Sequence, residues 1–331
     1  MIAVPMALPR PSMRTFRRLA MASAVALYMV VLTGAAVRLT DSGLGCSGWP
    51  NCGPGTLTPP MSFHPLVEFS NRMFTIVLGA LIGVVTTAAM RLRPRRRDLV
   101  RLSWWLVAGY LAQAVIGGVA VLLKLTPLFV MLHFLVSMLL LWGGIVLVHR
   151  ADERWPNGRA VVMRTEVVWL GRLLAITAGW VLFMGTVVTG TGPDSGAPNA
   201  AARLPFPFLR VAQLHADSAL FFTGLIVATL FSLRIAAAPP PVWRRARWLI
   251  GLVVVQIALG YWQYFMGLPP GVVEAHIAGA AAIWVATIAL NLAMVVPAEG
   301  AEATPIECPA GADAAVTPAH PGTPSQPLVT S

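Results

Sequence analysis

Between residues 19 and 296 long apolar runs alternate with short polar breaks, and eight of the runs are long enough to cross a bilayer. Crossing takes about 20 mostly apolar residues. The first run, Leu19–Thr40, follows Arg10, Arg14, Arg17 and Arg18 with no acidic residue among them. A cleavable secretion signal has an apolar region of only about 7–15 residues, so this run reads as an uncleaved helix. The later runs are Pro65–Met90, 103–123, Pro127–His149, 167–190, 209–235, 248–265 and 271–296. The pattern predicts an all-α integral membrane protein with eight transmembrane helices.

The pattern also repeats. Gln113 and Gln256 each stand 20 residues before a histidine, His133 and His276, and Pro127 and Pro270 each stand six before it. The offset between the copies is 143 residues, and a nearly equal offset of 144 relates Asn71 to His215. Four spans return a chain to the side it left, so two parallel four-helix repeats are expected. The N-terminal half is 19–149 and the C-terminal half 167–296, with a linker at 150–166. Residues 1–18 form a basic N-terminus, and the Pro/Ala/Thr-rich tail 297–331 reads as disordered. Asn71, His133, His215 and His276 then lie at similar depth, one to two turns below the outer surface.

Composition supports the membrane reading. Only 11% of the 331 residues are charged, 57% are hydrophobic and the mean hydropathy is +0.73, where a soluble chain carries about a quarter charged residues. The net charge of +11 would suit nucleic acid, but its distribution does not. Of the 24 Lys and Arg, 19 fall on one side, leaving Arg38, Arg72, Lys124, Arg203 and Arg210 on the other. That asymmetry is the positive-inside signature of a plasma-membrane protein with both termini cytoplasmic. Three cysteines allow one bridge. Cys46 and Cys52 share a Gly/Pro-rich outer loop, 41–60, and are expected to form it. A structural staple and a redox pair both fit this placement.

A lone intramembrane histidine usually packs and satisfies one hydrogen bond. Two at matched depth on repeat-related helices differ, because ionisable groups in a bilayer are expensive and usually functional. Zinc takes three or four ligands, and carboxylates are scarce here; two axial imidazoles across a porphyrin fit better. His215 and His276 are the expected pair. The halves are unequal. Glu68 precedes Asn71 by three residues on one helix face, its repeat counterpart is the apolar Ala212, and the paired cysteines occur in the first outer loop only. The first half, with His133, reads as the site of chemistry and the second as an electron-transfer site. An ion pair of Glu68 with Arg72 at i+4 is the plainer alternative. His64 reads as interfacial, and His149 and His320 are given no role.

The segments TGAAVRLTDSGLGCSGWPNC (33–52), EFSNR (68–72), LHFLVS (132–137), QLHADSA (213–219) and EAHIAGA (274–280) occur in order over residues 19–296. In them the chain resembles the haem A synthase family, membrane enzymes that convert haem o to haem a. The resemblance implies a haem b cofactor between His215 and His276, and a substrate haem in the N-terminal half held by His133, Asn71 and Arg72. It implies a catalytic Glu68 and redox chemistry at the loop cysteines. Asn71 departs from the family pattern Glu-x-x-His-Arg. The activity implied is oxidation of the C8 methyl of haem o to a formyl group by successive hydroxylations. Expected partners are haem o, membrane lipid, a haem o-producing enzyme and a quinol or other electron donor, with no nucleic acid; a homo-oligomer is compatible. A two-haem cytochrome acting only in electron transfer is the rival, and the unequal halves speak against it. A repeat-built transporter would need paired helix breaks at the midplane, which the sequence does not show.

Overall fold

The computed structural model describes residues 10–46, 48–49, 51–53, 58–152, 160–193, 195 and 202–297. Among them the chain forms α1 (Met13–Leu39), α2 (Phe63–Arg91), α3 (Arg97–Leu122), α4 (Pro127–Arg150), α5 (Thr165–Thr191), α6 (Phe208–Ile235), α7 (Pro240–Phe265) and α8 (Pro270–Ala293). All eight are long and apolar enough to cross a membrane. Leu220, Phe231, Trp248 and Phe265 project from the bundle fully enough to need a lipid surround. The tail 298–331 and the first nine residues lie outside the described residues.

Three helices start earlier than the apolar runs suggest: α1 at Met13, α3 at Arg97 and α7 at Pro240. The added turns carry Arg14, Arg17 and Arg18, then Arg97 and Arg101, then Arg244, Arg245 and Arg247. Hydropathy registers only the hydrocarbon-spanning part. The backbone ladder continues into the interface, where long basic side chains lay their stems on the helix and keep their heads wet. Ser12 caps α1 by accepting the Thr15 N–H at 3.1 Å, and Pro240 opens α7 where no helical N–H is required. A second difference is a short antiparallel ribbon, β1 (Ala160–Val162) with β2 (Val295–Pro297), Ala160 facing Pro297 and Val162 facing Val295. It occupies part of the expected linker and the end of the eighth apolar run, since α8 stops at Ala293.

Successive helices pack as hairpins, α1 closes on α4 and α5 on α8, and α8 also lies against α1 and α4. One buried cluster gathers Phe16, Ile82, Leu106 and Leu141; another gathers Leu174, Ile226, Leu249 and Leu290. Trp284 packs against both. The turns from α3 to α4 and from α7 to α8 are built alike. Two residues take left-handed φ, Lys124 and Leu125 at 52° and 58°, Gly267 and Leu268 at 72° and 64°. The Leu125 N–H donates to Ala120 O at 2.7 Å and the Leu268 N–H to Gln263 O at 2.8 Å. A proline, Pro127 or Pro270, then opens the next helix.

Two of the hydrogen bonds among the described residues join α1–α4 to α5–α8. The Tyr28 hydroxyl donates to Ala278 O and the Trp284 indole N–H to Met138 O, each at 2.9 Å. Tyr28→Phe should therefore lower unfolding stability by about 1 kcal/mol, the usual range for interhelical hydrogen bonds in membranes, in a detergent-denaturant titration; an unchanged midpoint would show this bond contributes nothing.

Candidate functional site

His215 on α6 and His276 on α8 face one another with ring centroids 6.5 Å apart and planes inclined at 68°. Each ring is admitted by a glycine on the preceding helix. A Cβ on Gly185 of α5 would stand 3.3 Å from His215 Cε1, and one on Gly260 of α7 3.4 Å from His276 Cε1. Both Nδ1 atoms are buried without a hydrogen-bond partner. Among the described residues no group of three or more His, Cys, Asp or Glu is placed to hold a metal, so a many-ligand zinc centre lacks donors. A metal bound by two imidazoles needs only this pair. With about 2 Å for each metal–nitrogen bond and roughly 1 Å from ring centre to nitrogen, the centroids would stand roughly 6 Å apart, close to what is found. The residues present fit a porphyrin iron.

His133 on α4 has the same surroundings. A Cβ on Gly117 of α3 would lie 3.1 Å from its Cε1, and its Nδ1 is also buried and unpartnered. Asn71 on α2 differs. The Thr33 hydroxyl of α1 donates to Asn71 Oδ1 at 2.8 Å, which fixes the amide so that its N–H donors point the other way. Nothing in the sequence marked Thr33, since a threonine one helix away carries no spacing signal toward position 71.

Glu68 and Arg72 are brought together, and both hold the outer loop. Glu68 is 4% exposed. One carboxylate oxygen pairs with the Arg72 guanidinium, and the other accepts the Cys46 backbone N–H at 2.8 Å. Arg72 also donates to Gly48 O at 3.1 and 3.2 Å. Between these anchors Cys46 and Cys52 form a disulfide, each cysteine 3% exposed. The plain ion pair of Glu68 with Arg72 is thus present; the bond to the Cys46 amide could not be read from spacing. Gly45 must be glycine for the loop to lie this close, because a Cβ there would come within 2.5 Å of the His64 carbonyl carbon. His64 joins the same corner, its Nδ1 3.1 Å from Ser42 Oγ. Trp49 of the loop rests on Gly118, where a Cβ would stand 2.9 Å from the indole. Adjacent glycines on α3 therefore admit the His133 ring, at Gly117, and the loop tryptophan, at Gly118. The matching stretch of α7 reads Gly260-Tyr261.

Eight helices long and apolar enough to cross a membrane define a polytopic membrane protein. More particularly, the chain belongs to the cytochrome oxidase assembly protein family, COX15-CtaA, whose sequence profile matches residues 17–65 and 61–197. It is similar to the Heme A synthase of Symbiobacterium thermophilum, with 27% identity over 265 residues, 75% of this chain and 85% of that protein. The Heme A synthase of Lysinibacillus sphaericus is 29% identical over 190 residues, 56% of this chain and 62% of that protein. That of Bacillus cereus strain AH187 is 23% identical over 259 residues, covering 74% and 81%.

The loop anchors can be tested directly. A hydrogen bond involving a charged group contributes about 1.5–3 kcal/mol, so Arg72→Met should speed reduction of the Cys46–Cys52 disulfide by roughly tenfold or more, followed by maleimide trapping under limiting reductant. A wild-type rate would mean that Arg72 contributes nothing to holding the loop.

Proposed function

We propose that the protein is a haem A synthase, an integral membrane oxidoreductase that converts haem o to haem a. The observation that carries this reading is the alignment with the Symbiobacterium protein: 265 residues is longer than either four-helix set. Two successive hydroxylations of the C8 methyl, each taking one atom of dioxygen while two electrons from a donor and two protons reduce the other atom to water, lead to a geminal diol, which loses water to leave the formyl group. Residues 19–149 and 167–296 act as parallel halves; the repeated α3–α4 and α7–α8 turns support this.

In the C-terminal half His215 and His276 hold a haem b, whose iron supplies one-electron transfer. The N-terminal half takes haem o as substrate, with His133 as its imidazole. A neutral amide is a weak iron ligand beside imidazole, so Asn71, its oxygen engaged by Thr33, offers N–H donors to a group at that position. Arg72 and Glu68 complete the site from the loop side. Glu68 is its buried carboxylate, one turn from Asn71, and opening of the disulfide loop frees the oxygen now bonded to Cys46 for proton transfer. A quinol or other donor supplies electrons, and a haem o-producing enzyme supplies substrate. The basic end of the bundle faces the cytoplasm of a cell membrane.

Co-expression with a haem o-producing enzyme, followed by haem extraction and chromatography, should yield haem a or its hydroxylated precursor. Recovery of unchanged haem o alone would favour a carrier. His215→Ala and His276→Ala should each abolish a low-spin haem b spectrum that His133→Ala leaves in place; its survival in both would move the haem elsewhere. Asn71→His, in protein loaded with haem o, should turn the N-terminal haem low-spin and reduce its binding of carbon monoxide. If the wild type already shows no carbon monoxide binding there, another residue fills the sixth position.

A further inference from the structure

We propose that Gln113 and Gln256 are positioning residues that fix the imidazoles of His133 and His276, an inference that rests on reading those histidines as iron ligands. Gln256 Nε2 donates to His276 O at 2.9 Å, and Gln113 Nε2 donates to His133 O at 2.9 Å. A helical carbonyl has a second lone pair beyond the one its own helix uses, and each glutamine takes it from the neighbouring helix. One turn further along α7 and α3 stand Gly260 and Gly117, against the rings of the same two histidines. One helix face thus meets each histidine twice, at its peptide and at its ring. Together these contacts limit rotation of α8 and α4 about their axes and the swing of each ring.

Each brace is accommodated by the chain around it. A Cβ on Gly279 would collide with Gln256 Oε1, so this glycine is the space in which the amide lies. The corresponding residue of α4 is Val136, and there Gln113 also bonds Ser137, whose hydroxyl donates to His133 O at 2.9 Å. His215 has its glycine, Gly185, but among the described hydrogen bonds no glutamine reaches its carbonyl. In hydrocarbon no water replaces a lost donor, so the histidine peptide should feel its removal.

The test uses purified holoprotein, with haem loss to apomyoglobin and the ferric electron paramagnetic resonance spectrum as readouts. Gln256→Met keeps size and removes the donor; Gly279→Ala leaves Gln256 intact and displaces it. Each should speed haem loss roughly tenfold, the lower end for removing a ligand's supporting partner, and shift the g values of the low-spin signal. The double variant should be no worse than the worse single, because both break one interaction. Gln113→Met should leave that signal unchanged. Wild-type g values and haem loss in Gln256→Met, or additive effects in the double variant, would overturn the proposal. Absence of any His276-dependent low-spin haem in the wild type would overturn the ligand reading beneath it, before any glutamine variant is compared.

Discussion

Hydrocarbon offers a polar group nothing to bond with, so a polar side chain inside this bundle depends on protein for any partner it has. The partners found are specific. Thr33 reaches Asn71, Gln113 reaches His133 O, Gln256 reaches His276 O, Tyr28 reaches Ala278 O and Trp284 reaches Met138 O. Each bond joins two helices at a fixed height, and most lie at or within a few residues of the histidines. Apolar packing holds the helices together without choosing their register; these few donors choose it.

Much of this was legible in the sequence, because the information lay in periodic or repeated positions. Apolar run length gave eight spans, and the 143-residue echo marked His133 and His276 together with their glutamines. What escaped lay outside any period. The helices α1, α3 and α7 run on through arginines that hydropathy discounts, although the backbone ladder is indifferent to them. The ribbon of 160–162 with 295–297 pairs segments too far apart for local pattern to connect. Glu68 stands where the second half has the apolar Ala212, and its ion pair with Arg72 follows from i+4 spacing. Its bond to the Cys46 amide was not, since that depends on the path of a loop which only Gly45 lets settle on α2.

That loop is where the two four-helix sets differ most. The α5–α8 set has glycines beside its imidazoles, Gly185 and Gly260. The α1–α4 set has a disulfide loop whose backbone is held by a carboxylate and a guanidinium, and whose tryptophan lies one residue along α3 from the glycine beside His133. Under the proposed function, the substrate-binding half is the one whose outer cover is tied to its site side chains.

The ribbon has a consequence of another kind. By pairing β1 with β2, the chain enters and leaves the α5–α8 set at the same spot, three residues against three. A segment whose ends meet is a closed circuit in space and can be joined to another chain at a single point without threading. Such a unit lends itself to duplication and fusion in a gene, and equally to cutting and rejoining elsewhere on its perimeter, since neighbouring termini are what make circular permutation tolerable.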